Sequence, residues 1–190
     1  MNISKQFPQF WSDTKSEECL PSGHSNYSLD LPFTFPFYSS SVRRVEVVPG
    51  GRLSLSRGYI APLSAHLDPH HDSLTSSLCY WISDKNTSLT LQWRNAVVSD
   101  IPLRAPFTFR LRIWASGLIE FLYNKLGIDL EHLLVLDDNV KIGIWDEQTG
   151  DSLWVSRKAV KERTMITINP LSAAVPPPVE DISLVTPSSP

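Results

Sequence analysis

The sequence has 190 residues, 42% of them hydrophobic and 10% aromatic, which suits one domain with a sizeable core. The formal net charge of -3 gives no electrostatic reason to expect nucleic acid as a partner. No apolar run approaches the roughly 18 residues that a membrane span needs. Residues 1–10 also contain no apolar segment of the kind found in a secretory signal.

Residues 1–28 are polar and have no sustained period, so we expect a loosely ordered segment there. Residues 29–38 alternate apolar and other side chains, but Pro32 and Pro36 lack the N–H group that a sheet ladder needs. This stretch therefore predicts an edge strand or an extended arm lying over the core. Similar stretches, separated by turn residues, predict strands at 42–48, 52–56, 78–82 and 88–93, and residues 58–69 predict an irregular strand that enters a long loop.

Residues 105–123 carry the strongest strand pattern in the chain. The period of two continues on both sides of Ser116-Gly117, and glycine readily accepts the positive φ of a tight turn. Such a pattern predicts a β-hairpin with a buried face, which needs a second layer to cover it. The residues predicted to face inward are Phe107, Phe109, Leu111, Ile113, Ile119, Phe121 and Tyr123.

The remaining elements complete an all-β pattern. Residues 128–136 fit a short helix or a loop, and strand patterns return at 140–146, 152–156 and 165–168. Prolines recur beyond that point, so residues 169–190 are predicted to be a disordered tail. About ten short strands with almost no helix indicate an antiparallel β-sandwich, formed by residues 29–168 between the two disordered ends.

Two further features bear on the compartment. Cys19 and Cys79 could form a disulfide in an oxidising compartment or remain unpaired thiols. Asn-x-Ser/Thr sequons, the acceptor sites for N-glycosylation, begin at Asn2, Asn26 and Asn86. Asn86 falls in a predicted turn between strands, which would be accessible on a secreted domain.

Residues 66–72 contain the only cluster that resembles a set of metal ligands, with three histidines and two aspartates. Its spacing matches no structural zinc pattern and no cysteine lies near it, so we interpret it as a polar loop and expect no metal or cofactor. The sequence offers no Gly-x-Ser-x-Gly elbow, no phosphate-binding loop and no histidine pair at helical spacing. We therefore expect a protein that is not an enzyme.

The six tryptophans are the largest side chains, and most of them are expected to fill the core. Trp114 is different, because it shares the polar side of its strand with Arg110 and Arg112. A tryptophan beside two arginines is a common composition for a protein-binding patch. We take these three residues as the candidate ligand-binding site, and we expect changes at Arg112 and Trp114 to leave the fold intact. The alternative is that a neighbouring loop covers Trp114.

Five motifs in order resemble one family. They are FPFYSSSVRRVEVVPGG at 35–51, GYIAPLSAHLDP at 58–69, NTSLTLQW at 86–93, PFTFRLRIWASGLIEFLY at 106–123 and VKIGIWD at 140–146. This order resembles the nidogen-like extracellular region of the plexin domain-containing proteins, also called tumour endothelial marker-related proteins, over about residues 29–168. The family pattern has Asp-Gly at the hairpin turn, where this chain has Ser116-Gly117. The sequon at Asn86 fits the pattern, and the 66–72 cluster is not part of it.

The resemblance implies a non-enzymatic cell-surface glycoprotein receptor that binds matrix or secreted protein ligands. Family members also carry a signal peptide, a Cys-rich plexin-semaphorin-integrin module and a single transmembrane helix. We see none of these in this sequence, so we expect membrane association only through family segments that it lacks. The alternatives from other classes are a soluble scaffold or secreted interaction protein without a receptor role, and a hydrolase with an unrecognised site.

Overall fold

The computed structural model describes residues 1–4, 17–23, 25–99, 105–136 and 140–172. These ranges contain fourteen strands, one α-helix and two single 3-10 turns. The strands are β1 Asn2–Ser4, β2 Glu18–Cys19, β3 Tyr27–Phe37, β4 Ser40–Val48, β5 Arg52–Leu55, β6 Gly58–Ser64, β7 Leu67–Asp68, β8 Ser77–Ile82, β9 Ser88–Val98, β10 Phe107–Trp114, β11 Ile119–Lys125, β12 Lys141–Asp146, β13 Ser152–Trp154 and β14 Thr164–Ile168, and the helix is α1 Leu130–Leu136.

The described strands form two antiparallel sheets that pack face to face. The first sheet has the order β1-β14-β11-β10-β9-β8-β2, and β7 pairs with the far end of β9. The second has the order β13-β12-β6-β5-β4-β3, so β3 with its two prolines lies at an edge. The predicted all-β antiparallel sandwich is therefore confirmed. The 3-10 turns, at Arg157–Ala159 and Pro170–Ser172, lie on either side of β14.

The predicted hairpin is the centre of the first sheet. Its alternating apolar residues on β10 and β11 are at most 1% exposed, and their register places Leu111 opposite Phe121 on one side and Leu91 on the other. Apolar side chains from the second sheet, such as Val47 and Ile60, belong to the same buried cluster. Burial of one face of each sheet against the other is what a period of two requires.

The hairpin turn explains the glycine in Ser116-Gly117. Gly117 has a φ of +88°, and its N–H donates to the carbonyl of Trp114 at 2.9 Å. A Cβ at this position would lie 2.9 Å from Leu171 Cδ1 and 3.2 Å from Pro36 Cγ. Both the backbone conformation and the close packing of the turn against β3 therefore favour glycine.

The chain differs from the sequence-based prediction mainly at its ends. Residues 1–28 were expected to be loosely ordered, yet β1 pairs with β14 and β2 pairs with β8, so described parts of this segment close the two edges of the first sheet. Residues 128–136 were predicted to be a short helix or a loop, and the structure has the helix α1 there. The predicted disordered tail, apart from residues 169–172, lies outside the described residues.

The expectation that most tryptophans fill the core is wrong for those that the structure describes. Trp93 belongs to the buried core cluster. Trp81 is buried, but on the outward face of the first sheet, because the outward-facing Arg110 covers its ring with the guanidinium group. Trp114, Trp145 and Trp154 are also on outward faces, and Trp11 lies outside the described residues. These outward positions matter for the search for a binding site.

Candidate functional site

The predicted patch of Arg110, Arg112 and Trp114 lies together on the outward face of β10, as its alternation required. However, Arg112 is only 5% exposed, and its Nε donates to Thr90 Oγ1 at 2.9 Å. Its guanidinium carbon lies 5.3 Å from the centre of the Trp114 ring. Trp114 in turn donates from its indole nitrogen to Glu120 Oε2 at 2.9 Å. The arginine expected to be exposed is thus a buried part of the sheet.

Arg110 is held in the same way. Its Nε donates to Gln92 Oε1 at 2.9 Å, and its guanidinium carbon lies 5.5 Å from the centre of the Trp81 ring. Burial, together with the nearby charge of Arg112, lowers the pKa of Arg110. The predicted site is therefore a cross-strand ladder of polar side chains, whose donors are directed at neighbouring strands. It offers a ligand much less surface than the sequence suggested.

The outward face of the second sheet carries a more accessible group of aromatic residues. Tyr59 on β6 is opposite Trp145 on β12. Two residues before Trp145 on the same strand, Gly143 lies between Ala61 on β6 and Trp154 on β13. The Tyr59 ring lies 5.5 Å from the Trp145 ring and 6.3 Å from the Trp154 ring, between centroids. Trp154 is 44% exposed. We call Tyr59, Trp145 and Trp154 the aromatic platform.

Gly143 makes room for this platform. Its φ is +148°, and a Cβ there would lie 2.9 Å from Cε3 of Trp154 and 2.2 Å from the carbonyl oxygen of Leu153. The Trp154 ring therefore lies close against the backbone of β12, in space that a side chain would otherwise fill. The absence of a side chain at Gly143 lets the indole pack close to β12 while part of it stays in solvent.

Two cations lie beside the platform. The guanidinium carbon of Arg52 is 5.7 Å from the centre of the Tyr59 ring, and Lys141 Nζ is 5.9 Å from the centre of the Trp154 ring. Both distances are within the range in which a cation is attracted to a ring face. Burial raises the pKa of the Tyr59 phenol, and the charge of Arg52 opposes this rise. The phenol therefore stays neutral at physiological pH.

Shallow cavities extend from both sides of Lys141. One, of about 410 Å³, is lined by Arg52, Tyr59 and His66 among others; the second, of about 490 Å³, is lined by Trp154, Arg157 and Lys158 among others. Lys141 lines both, so the two cavities lie next to each other. We define the basic-aromatic surface as Arg52, Tyr59, Lys141, Trp145, Trp154, Arg157 and Lys158.

The charge of this surface differs from that of the whole chain. The two cavities are lined by four lysine and arginine residues and one carboxylate, that of Glu131, which gives a formal charge of +3 where the whole chain has -3. Glu131 lies 3.7 Å from Lys158 Nζ, but Lys158 remains 79% exposed. Arg157 donates to the carbonyl of Val140, which fixes its position beside β12.

An acidic turn marks one end of the surface. It begins at the end of β12 with Asp146, which is buried, and continues with Glu147 and Asp151, which are exposed. Asp146 Oδ2 accepts a hydrogen bond from Thr149 Oγ1 at 2.8 Å, so this carboxylate stabilises the turn. The positive part of the surface therefore extends away from this turn, toward Lys141 and Lys158.

The sequence analysis missed the outward position of Trp145 and Trp154, although the sequence carried a signal for it. Lys141, Gly143 and Trp145 alternate with the buried Ile142 and Ile144, so Trp145 is out of phase with the core. Trp154 likewise follows the inward Leu153. We expected tryptophan in the core because of its residue type. The period of two instead assigns these tryptophans to the outward face.

Two other predicted features lie away from this surface. Cys19 and Cys79 are directly opposite each other on β2 and β8 and are joined by a disulfide. Asn86 is exposed in the turn between β8 and β9, with a φ of +51°, and its N–H donates to the carbonyl of Ser83 at 2.8 Å. Asn26 is also exposed, next to the start of β3.

The carboxylates of residues 66–72 serve as acceptors for the local backbone. Asp68 Oδ1 accepts from the N–H of His70 at 2.9 Å, and Asp72 accepts from the N–H of Leu74 and the hydroxyl of Thr75. The Thr75 bond, followed by the Leu74 bond, lowers the pKa of Asp72. In the described ranges, the group of ligand atoms close enough to share a metal consists of Glu17, Cys19 and Cys79, whose two sulfurs are bonded to each other.

Comparison with known proteins adds no assignment to this geometry. No protein-family model matches the chain, and no solved structure matches it. Among the residues that the structure describes, no helix has both the length and the apolar character needed to cross a membrane.

Proposed function

We propose that the chain is a non-enzymatic recognition domain that acts outside the cytosol and binds components of the extracellular matrix or secreted proteins. This function is that of the plexin domain-containing receptors, whose motifs the sequence resembles. The observation that carries the proposal is the basic-aromatic surface. Aromatic side chains and arginine supply most of the binding energy in many interfaces, and here they lie on the rigid outer face of a sheet.

Two features support the compartment. The Cys19–Cys79 disulfide suits secreted proteins and cell-surface domains, because cytosolic thiols are normally kept reduced. The sequons at Asn26 and Asn86 are both at exposed asparagines, where the glycosylation machinery can reach them. In this proposal the cell-surface or secreted location accounts for both features.

The test uses the full chain, produced behind a secretion signal and verified as folded and oxidised. Binding to decellularised matrix and to a panel of purified matrix and secreted proteins is measured by a solid-phase assay. We expect saturable binding that falls about tenfold in Trp154→Ala, since loss of a central aromatic anchor costs more than about 1 kcal/mol.

Leu74→Ala is the matched control, because Leu74 is a highly exposed apolar residue in a loop away from the platform. This variant should bind like the wild-type protein. A folded, oxidised protein that binds no component of the panel would overturn the proposed function. An equal loss of affinity in Trp154→Ala and Leu74→Ala would show that binding does not depend on the platform.

A further inference from the structure

We propose that the basic-aromatic surface binds a sulfated polysaccharide, a linear chain of sugar rings that carry sulfate groups. This inference rests on the proposed function, because it names the class of matrix component that the surface takes. It is carried by three properties of the same residues, namely their charge, the aromatic platform and the open shape of the two cavities.

The charge of the surface is complementary to a polyanion. Arg52, Lys141, Arg157 and Lys158 are all positive, and one carboxylate opposes them in the lining of the two cavities. Sulfate esters remain ionised at every physiological pH, and a polyanion that meets several cations releases its bound counterions. Since the whole chain is negative, a polyanion is attracted to this surface rather than to the protein in general.

The platform accounts for sugar rings as well as charges. The C–H groups of a pyranose form an apolar face, which packs well on a flat, partly exposed aromatic ring. Trp154 presents such a ring, packed close to Gly143 and partly exposed, and Tyr59 continues the aromatic surface two strands away. Lys141 lies between the two cavities and close to the Trp154 ring, so stacking and sulfate binding would occur at neighbouring positions.

The shape and the compartment favour this class over others. Two neighbouring open cavities that share Lys141 make an extended site, which suits a linear chain rather than an enclosed small molecule. Nucleic acids offer similar charges and flat rings. However, a disulfide-bonded protein works in an oxidising compartment, where sulfated polysaccharides rather than nucleic acids are the abundant polyanions.

The test measures binding of the full, oxidised chain to size-fractionated heparin by calorimetry, over about 50 to 200 mM salt. The key variant is Lys141→Gln/Lys158→Gln. It should weaken binding about tenfold, as expected for two partly exposed ion pairs. It should also reduce the slope of log affinity against log salt by about 2, because two ionic contacts are lost.

Lys85→Gln/Lys125→Gln is the control, because it changes the net charge by the same amount at two exposed lysines outside this surface. It should alter affinity less than about twofold. Trp154→Ala should weaken binding with an unchanged salt slope, since it removes stacking and no charge. Chemically desulfated heparin should bind much more weakly than heparin to the wild-type protein.

The inference is overturned if the two lysine pairs have equal effects, if desulfated heparin binds as well as heparin, or if polyglutamate binds more tightly than heparin. The last result would identify an acidic protein ligand instead. Matrix binding that persists without any affinity for heparin would remove this inference and leave the proposed function standing. Absence of both matrix binding and heparin binding would overturn this inference and the proposed function together.

Discussion

At the centre of the core, Trp93, Phe109 and Tyr123 form a row across three adjacent strands. Trp93 and Phe109 stack with centroids 5.0 Å apart, and Tyr123 lies 6.5 Å from Phe109. The polar ends of the outer two rings reach across the sandwich. The Trp93 indole donates to the carbonyl of Pro49 at 2.8 Å, and the Tyr123 hydroxyl donates to that of Pro62 at 2.5 Å. These bonds satisfy buried donors and join the two sheets.

Phe109→Ala should lower the free energy of unfolding by about 3–5 kcal/mol, because it leaves a cavity between two aromatic rings. Phe109 is fully buried, so little of that cavity can be filled by solvent. Chemical denaturation measures the change, with Phe109→Leu as a control that retains most of the volume and should cost less. A loss below about 1 kcal/mol for the alanine variant would contradict the role of this residue in the core.

Tyr123 predicts a specific dependence on alkaline pH. Burial raises the pKa of its phenol well above the ordinary value, so the folded protein keeps a proton that the unfolded chain releases. Stability is therefore constant with respect to this group below about pH 10 and falls above it, by up to about 1.4 kcal/mol per pH unit. In Tyr123→Phe that decline should be smaller, although the variant is less stable at neutral pH because it lacks the bond to Pro62.

Denaturation midpoints measured at about pH 8 and about pH 11 test this expectation, because these two pH values lie on either side of the ordinary tyrosine pKa. Tyr38 and Tyr80, whose pKa values are raised to about 12, contribute to the decline in both proteins and therefore cancel in the comparison. An equal loss of stability in the variant and the wild-type protein would show that Tyr123 ionises freely in the folded state.

Among the individual elements, β10 shows how a strand can be predicted well while its outward face is misjudged. The period of two correctly assigned each side chain of β10 to a face. It could not show that Arg112 lies within reach of Thr90 on the next strand, because that contact depends on the register of β9 and β10. Burial of an outward residue is a property of the assembled sheet rather than of one strand.

Arg112→Ala should destabilise the protein by about 1–3 kcal/mol, because it removes a buried charged donor from Thr90 and leaves the Trp114 ring without its cation. This corrects the sequence-based expectation that the fold would be indifferent to the change. Urea denaturation gives the magnitude. Arg94→Ala is the matched control, since its ion pair with Glu17 is partly exposed and should contribute less than about 1 kcal/mol.

Equal losses of stability in the two arginine variants would mean that Arg112 contributes no more than a surface residue.

The irregular part of β9 shows the other limit of sequence analysis. Residues 94–98 were missed because Asn95, with a φ of +50°, interrupts the alternation. The edge strands β1 and β2 were missed because two or three residues carry no period.

For the whole molecule, the second sheet and its surface were the hardest part to predict. Its strands were recognised, but the surface combines β5, β6, β12, β13 and the 3-10 turn Arg157–Ala159, which are distant in the sequence. Only the strand order places Arg52 and Lys141 on either side of Tyr59 and Trp154. Long-range pairing of this kind leaves no local signal, whereas the core hairpin consists of adjacent strands.

The disulfide should contribute to the stability of the entire domain. Cys19 and Cys79 are 60 residues apart, and closing a loop of that length in the unfolded chain stabilises the folded state by about 2–4 kcal/mol. Cys19→Ser/Cys79→Ala should reduce the guanidinium midpoint accordingly, with alanine chosen because Cys79 is buried. Reduction of the wild-type protein should have the same effect. No change in either experiment would mean that β2 contributes nothing to global stability.

The pairing of β1 with β14 has a consequence for the order of events during synthesis. Ile3 is opposite Ile166, so β14, the partner of β1, is made only after the strands β2 to β13. On the ribosome, β1 must therefore wait for its partner until the other strands of the sandwich have emerged, while the hairpin of β10 and β11 can close at once. During that interval the edge of β11 that β14 later covers is open. A nascent chain is thus exposed to mispairing at one defined edge, which the arrival of β14 and then β1 closes.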